Sequence, residues 1–403
     1  MSARRVVVVG AGHAGFTVCA TLRTLGWDGE LTLIDSDHAL PYQRPPLSKK
    51  VLAGEQTLED AHFRPHDFYG AHGIDLVLGR RVVAIDRIER AVQLDGRSAQ
   101  EYDHLVLATG ARPRSLRLEV LAGLGPESVC YLHTADHSSD LRARIAAGNR
   151  VVVIGGGFIG LEVASMAASA GKEVIVFEVA DRLMGRAVSA PISEYFHDLH
   201  RGAGVDVRLS STVSSVQRVV DRLELHTDGQ SSVTADVVVA GVGVVPNDDL
   251  AAQAGLATSD GVLVDAQLRT TDPHISAIGD CARFPHPPGT HPGIRLESVQ
   301  NASDHGRHVA ALLAGEPVPP YDVVPWFWTE QHGRKLQMAG LTAGYDRTEL
   351  VETAPDKFSV YCYAGTRLLG CESVNSPKDH ARARKQLAAD RGAGAESPPP
   401  VTV

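Results

Sequence analysis

Cysteine is scarce in this chain: five in 403 residues. Cys19, Cys130, Cys281, Cys362 and Cys371 are scattered, with no C-x2-C or C-x4-C pair. Such spacing supports neither a disulfide framework nor a zinc site, so ordinary free thiols and no metal are expected. No apolar run reaches the ~18 residues of a membrane helix, and MSARRVVVVG enters a strand with no apolar signal core. A cytoplasmic protein that does not enter the membrane is the expectation. Basic charge is not in excess, since 39 Lys and Arg face 48 Asp and Glu for a net charge of -9. That balance argues against nucleic acid as the main partner, because phosphate binding needs a basic face. It leaves room for a local basic patch.

What is present is the composition of an ordinary globular protein, 43% hydrophobic and 22% charged, with length for two or three domains. Residues 5–9, RVVVV, are a short apolar run ending in glycine, as a buried parallel strand reads. Helical spacing over 13–25 and a second strand at 31–35 follow, and residues 101–110 hold another apolar strand that ends in a turn. At residue 150 the pattern restarts: RVVVIGGGFIGLEVASMAASAGKEVIVFE repeats strand, glycine loop, helix and strand. A whole βαβ unit is therefore duplicated. Strands are also expected after 235 and near 275. Past 325, short alternating runs such as KFSVYCY predict a separate domain with an antiparallel sheet. The Gly/Pro/Ser-rich end from 391 to 403 reads as disordered.

The two loops are Gly10-Ala11-Gly12-His13-Ala14-Gly15 and Gly155-Gly156-Gly157-Phe158-Ile159-Gly160. Each fits G-x-G-x-x-G directly after an apolar strand. Their glycines suit a tight turn, the approach of a pyrophosphate and close packing of helix on strand. The helix start then offers free N–H groups to the phosphates. In each unit the next strand ends in an acid, Asp35 or Glu178, suited to ribose hydroxyls. Two dinucleotide sites in one chain imply two dinucleotides that exchange electrons, FAD and a nicotinamide. Glu178 would repel a 2′-phosphate, which favours NADH over NADPH, with Arg182 four residues on as the opposing feature.

LPYQRPPLSK (40–49), YDHLVLATG (102–110), IGDCARF (278–284), RLESVQNA (295–302) and PWFWTEQ (325–331), taken with the two loops, resemble the FAD-dependent, NADH-specific ferredoxin reductases of bacterial monooxygenase and dioxygenase systems. The resemblance runs from Val6 to about Lys385. It implies an α/β fold of two Rossmann-like FAD- and NAD-binding domains, glutathione-reductase-like, plus a C-terminal α+β domain. The FAD domain would be discontinuous, 1–113 with 246–325, the NAD domain 114–245 and the C-terminal domain 326–390.

The same resemblance implies roles residue by residue. Ala14 and its neighbours hold the FAD pyrophosphate. Arg44, Pro45 and Lys49 lie along the flavin. Val82 meets the adenine through its backbone. The turn Ala108-Thr109-Gly110 and the segments Gly279-Asp280 and Glu297-Ser298-Val299 complete the FAD site, with Asp280 on the ribityl chain and Val299 on the pyrimidine edge. Trp328 packs on the isoalloxazine. Two positions depart from the pattern. Ser36 stands where the family has its ribose acid, which leaves Asp35 or Asp37 to substitute. His133 stands where it has an arginine, which weakens that contact or makes it pH-dependent.

The resemblance further implies that Lys49 and Glu162, the latter on the first turn of the second helix, form an ion pair near flavin N5, and they are the expected catalytic residues. A lysine there would stabilise negative charge on reduced flavin. The implied partner is a [2Fe-2S] ferredoxin, docking through Arg64, Arg295, Arg307, Arg334 and Lys335, on a monomer or weak dimer. Rubredoxin reduction, or another NADH-dependent flavoprotein activity, remains open. A disulfide reductase or peroxidase is disfavoured because LPYQRPPLSK carries no cysteine. His291, His305 and His332 show no metal-ligand spacing and read as surface residues.

Overall fold

The computed structural model describes residues 4–393 apart from 97, 118, 122, 229, 230 and 292. The chain divides into two compact units. One comprises 1–45, 56–112 and 244–323, the other 46–55, 113–243 and 324–403.

In the first unit five parallel strands form one sheet, in the order Ile275–Ala277, His104–Leu107, Arg5–Val9, Glu30–Ile34, Ile74–Val77. The Val6–Val9 run is buried on both faces, which is why it carries no polar alternation. Helices His13–Thr24 and Val299–Leu313 pack on each other and on this sheet. Their close approach needs Gly306, where a Cβ would lie 2.7 Å from the Ala14 carbonyl oxygen. A small antiparallel meander, Val82–Asp86, Ala91–Leu94 and Ala99–Glu101, completes the unit.

The second unit repeats the plan with four parallel strands, in the order Asp206–Arg208, Glu173–Phe177, Arg150–Ile154, Val237–Ala240. It adds a five-stranded antiparallel sheet, ordered Trp326–Gln331, Arg334–Gly340, Arg367–Val374, Lys357–Ala364, Arg347–Ala354, and the helix Pro377–Ala393. The KFSVYCY strand is buried nearly throughout rather than one-sided. Its alternation sorts side chains between two cores. Phe358, Val360 and Cys362 face the core of the parallel sheet, while Tyr361 joins Ala383 and Leu387 of the last helix. The C-terminal segment thus shares a hydrophobic core with the second βαβ unit.

Two expectations from the sequence are corrected. The last helix continues through Ala393, so residues 391–393 are helical; 394–403 lie outside the described residues. Of the three histidines read as surface residues, only His291 is exposed. His305 is fully buried and His332 is half-buried. His305 packs edge-on to Phe284 and Tyr321, and His332 packs edge-on to His200.

Candidate functional site

The two glycine loops are built alike. Gly10 and Gly155 sit at φ 105° and 109°, and a side chain on either would collide with the carbonyl oxygen of Ala108 or Gly241. A side chain on Gly15 or Gly160 would collide with the Gly10 or Gly155 carbonyl. These four glycines are demanded by the fold itself. The middle glycines are different. Gly12 (φ -70°) and Gly157 (φ -84°) have ordinary backbone angles. A Cβ on Gly12 would meet nothing within 4 Å, and one on Gly157 only the Gly241 oxygen at 3.9 Å. Nothing in the protein's own packing requires glycine there, whereas a group approaching from outside would.

The helices that follow, His13–Thr24 and Phe158–Ser169, start with no side-chain cap. By contrast Thr134 caps the helix Ala135–Ala147, and Ser298 caps Val299–Leu313 by accepting from Asn301 N. The free first-turn N–H groups and the open middle glycine together make a cradle that fits a pyrophosphate, twice. FAD and NADH therefore fit the residues present.

Both acids serve their own loops. Asp35 Oδ2 accepts from Ala11 N at 2.5 Å and Oδ1 from Asp37 N at 2.8 Å. Glu178 Oε2 accepts from Gly156 N at 2.6 Å and Oε1 from Ala180 N at 2.8 Å. Each carboxylate oxygen keeps a second lone pair for a ribose hydroxyl. Asp35 thus matches Glu178 in its bonds to its own loop; Ser36 is exposed beside it, and Asp37 accepts from Tyr42 Oη at 2.9 Å. A pocket in the first unit runs from Ala11 and Gly12 past Asp35 and Asp37 to Tyr42 and Arg44. His13 flanks it edge-on to Phe63, and burial, with Arg44 nearby, lowers its pKa to about 4, so the imidazole is neutral. Arg182 donates through its guanidinium to the carbonyls of Val188 and Gly185.

Elsewhere in the first unit, the Thr109 hydroxyl donates to Asn247 O and the Asn247 amide returns a bond to Thr109 O, which pins the turn before Gly110. Burial above all, then Glu297, pushes the Asp280 carboxyl up to about 7, against the pull of Arg295 and Arg44. Behind it, His305 accepts from Gly279 N through Nδ1 at 3.1 Å. The sequence reading missed His305; its place on the buried stripe of a helix was the available signal. Val82 and Pro45 are half-buried, and so, in the second unit, is His133.

In the second unit Lys49 Nζ and Glu162 Oε2 form an ion pair at 2.7 Å. The Ser48 hydroxyl donates to the same oxygen, and Thr329 Oγ1 donates to Oε1 at 2.7 Å. Glu162 is 3% exposed, so these partners offset the cost of burying its charge. Ser48 and Thr329 were not foreseen: hydroxyls 114 and 167 residues away in sequence carry no pattern. Trp328 is half-buried, with Trp326 at 5.6 Å and Phe327 at 6.4 Å between ring centres.

Of the basic residues expected to dock a partner, Arg64 and Lys335 are exposed. Arg307 pairs with Asp304 and Arg334 with Asp356. Arg295 is 10% exposed and paired with Glu297 and Asp260, so it belongs to the interior and not to a docking surface. Among the described residues no cluster of His, Cys, Asp and Glu is placed to hold a metal, and no helix is long and apolar enough to cross a membrane.

Residues 4–306 match the family described as pyridine nucleotide-disulphide oxidoreductase, and residues 326–397 match the reductase C-terminal family. The chain belongs to the pyridine nucleotide-disulphide oxidoreductase family. It is 47% identical to rhodocoxin reductase of Rhodococcus erythropolis, over 96% of this chain and 90% of the other. It is 40% identical to putidaredoxin reductase of Pseudomonas putida, over 96% and 92%. Among solved structures, the ferredoxin reductase for the CYP199A2 system from Rhodopseudomonas palustris superposes with a TM-score of 0.91 at 46% identity, over 96% and 95% of the two chains. The covalent putidaredoxin reductase–putidaredoxin complex gives 0.90 at 38%, over 95% and 93%. The disulphide of the family's name has no counterpart here. All five cysteines are free and buried, and burial pushes the thiols of Cys19, Cys130, Cys362 and Cys371 up to between about 11 and about 12.

Proposed function

We propose that this chain is an NADH-dependent ferredoxin reductase, which carries FAD and passes electrons from NADH to a [2Fe-2S] ferredoxin that serves an oxygenase. The observation that supports this most is the duplicated cradle, an open middle glycine under an uncapped helix start in each unit. FAD, when bound, takes two electrons from NADH together and gives them up singly.

The residues supply binding and charge. The first loop and Asp35 hold the FAD pyrophosphate and ribose, with Arg44 along the same pocket and Asp280 on the ribityl chain. The backbones of Val82 and Val299, with Pro45, the 108–110 turn, Gly279, Glu297, Ser298 and His133, complete the contacts. The second loop takes NADH, with Phe158 and Ile159 at the helix start and Glu178 on the ribose, where its charge disfavours a 2′-phosphate. Lys49, fixed by Glu162, keeps a cation where negative charge develops. Trp328 packs on the flavin ring. Arg64, Arg307, Arg334 and Lys335 are the basic residues proposed for ferredoxin docking.

The test is NADH-driven reduction of a [2Fe-2S] ferredoxin beside reduction of a small uncharged dye. Both proceed if the reading holds. Rising ionic strength slows the ferredoxin reaction and spares the dye, because exposed charges are screened over ~8–10 Å at physiological salt. Reduction of the dye with no reduction of any [2Fe-2S] protein would overturn the acceptor. An absence of both would overturn the activity.

A further inference from the structure

The Glu162 carboxylate ends a longer chain of hydrogen bonds. Thr329 Oγ1 donates to its Oε1, and Gln331 Nε2 lies 3.2 Å from Thr329 Oγ1. His200 Nε2 lies 2.9 Å from Gln331 Oε1, and His332 Nε2 lies 3.1 Å from His200 Nδ1. Thr329 and Gln331 are two residues apart on the strand Trp326–Gln331, so they share a face. His200 reaches them from the helix Ala190–Gly202. Thr329 and His200 are 0% exposed and Gln331 is 1% exposed. Buried polar groups of this kind are stable only when paired inside the protein.

Chemistry fixes the direction of every bond. An amide oxygen only accepts, so His200 carries its proton on Nε2. Burial lowers the His200 pKa to about 4, so at neutral pH its ring has one N–H and Nδ1 must accept. His332 therefore donates through Nε2. The Gln331 amide nitrogen donates to Thr329, whose single hydroxyl proton goes to Glu162. Four donors in a row point toward one carboxylate, and each polarises the next. A proton cannot readily pass along this row, because the Gln331 amide would have to become its imidic acid. Its consequence is orientation.

We propose that Thr329, Gln331 and His200 are positioning residues for the reductive step. They hold Glu162 through Oε1, which leaves Oε2 to fix the Lys49 ammonium together with Ser48. The inference rests on the reading of Lys49 and Glu162 as the pair that serves hydride transfer.

The decisive variants are Thr329→Val, which keeps the shape and removes the hydroxyl, and Thr329→Ser, which keeps the hydroxyl. In stopped flow with the FAD-loaded protein, Val lowers the limiting rate of flavin reduction by about tenfold, the scale of a lost hydrogen bond to a charged group. FAD content and the NADH dissociation constant stay near wild type, and Ser restores most of the rate. Independently of turnover, nitrogen NMR of the imidazoles finds His200 locked as the Nε2–H tautomer in wild type. Gln331→Leu, which removes the acceptor, releases that lock and slows flavin reduction even if Thr329→Val fails to fold. A wild-type rate in Thr329→Val or Gln331→Leu, a loss that Ser leaves unrepaired, or an Nδ1–H tautomer at His200 would each overturn the proposal. Wild-type protein that never reduces its flavin with NADH would instead overturn the function proposed above, and this inference with it.

Discussion

The two glycine loops share their three motif glycines, and the comparison turns on the second residue past the last of them. There the first unit has Thr17 and the second has Glu162. Thr17 turns its hydroxyl back to its own helix, donating to the His13 carbonyl at 2.6 Å. Glu162 reaches off its helix to Lys49, Ser48 and Thr329. The same scaffold position thus closes on itself in one copy and opens into a charged cluster in the other. The open cradle is what the copies share; a buried charged cluster is what only the second adds. The cradles are alike because phosphate recognition is done by backbone, which a βαβ unit supplies wherever it is built.

Alanine at each middle glycine is the harshest way to break that likeness. Gly12→Ala introduces a methyl that meets no protein atom, so the fold should survive. FAD occupancy should collapse, with affinity down by more than about tenfold for the ~1.4 kcal/mol or more that a methyl in the phosphate path costs. Gly157→Ala should leave the protein yellow and raise the KM for NADH instead. FAD absorbance after gel filtration and steady-state kinetics read the two outcomes. Equal FAD loss in both variants would mean the loops do not divide the cofactors as proposed.

The second break is at the residue pair itself. Lys49→Ala should slow flavin reduction by roughly 100–1,000-fold, the scale of removing one preorganised electrostatic contact. Thr17→Val, at the matching place in the first unit, should leave that rate alone. Stopped-flow bleaching at saturating NADH decides this, and an unchanged rate in Lys49→Ala would make the lysine structural only.

How much of this the sequence carries follows from the range of each interaction. The loops, both βαβ units and the acids after their second strands are legible because turn, helix and strand fall within thirty residues. The Lys49–Glu162 pair was expected only through the family resemblance, since 113 residues separate its members. Thr329 and Gln331 were quoted within PWFWTEQ without a role, and His200 was not singled out. Their meaning comes from one strand face meeting one helix, which no local spacing encodes. Arg295 was misread because an arginine beside a turn looks solvent-exposed until its two carboxylate partners, Asp260 and Glu297, are placed.

A milder break concerns the acids, which both bind their own loops. Glu178→Ala removes the repulsion toward a 2′-phosphate and also releases Gly156 N, so it should weaken NADH as well as favour NADPH. Glu178→Gln keeps an acceptor for Gly156 N, removes the charge and gives up the second acceptor, which now takes Ala180 N. It should therefore narrow the NADH preference by about tenfold in kcat/KM, about 1.4 kcal/mol, with a smaller loss of NADH affinity than alanine gives. An unchanged preference in Glu178→Gln would assign the discrimination elsewhere.

The smallest effect separates the units by pH. In the first unit burial chiefly lowers His13 and His104 to about 4 and His305 to about 3. The second buries His200 and His380, both at about 4 for the same reason. In each case the unfolded chain, at about 6.5, binds the proton first. Their contribution is therefore whole above pH 6.5 and is lost as pH falls from 6.5 toward 4. Asp280 acts oppositely. Its folded value of about 7 exceeds the ordinary carboxylate value of 3.8, so its contribution is present below 3.8 and is lost as pH rises through 7. In the first unit it offsets part of the histidine loss across the acid range. Asp280→Asn should remove that offset. The FAD-free variant should melt a few degrees higher than wild type at pH 7.5, at ~2–4 °C per kcal/mol for units of this size. Its melting temperature should then fall more steeply between pH 7 and 5. Its FAD affinity should drop, because a carboxylate is the stronger acceptor for the ribityl hydroxyls. Calorimetry across that range, with FAD titration at pH 7.5, checks both. A variant that melts lower than wild type at pH 7.5 would show that the Asp280 charge is well paired before FAD arrives.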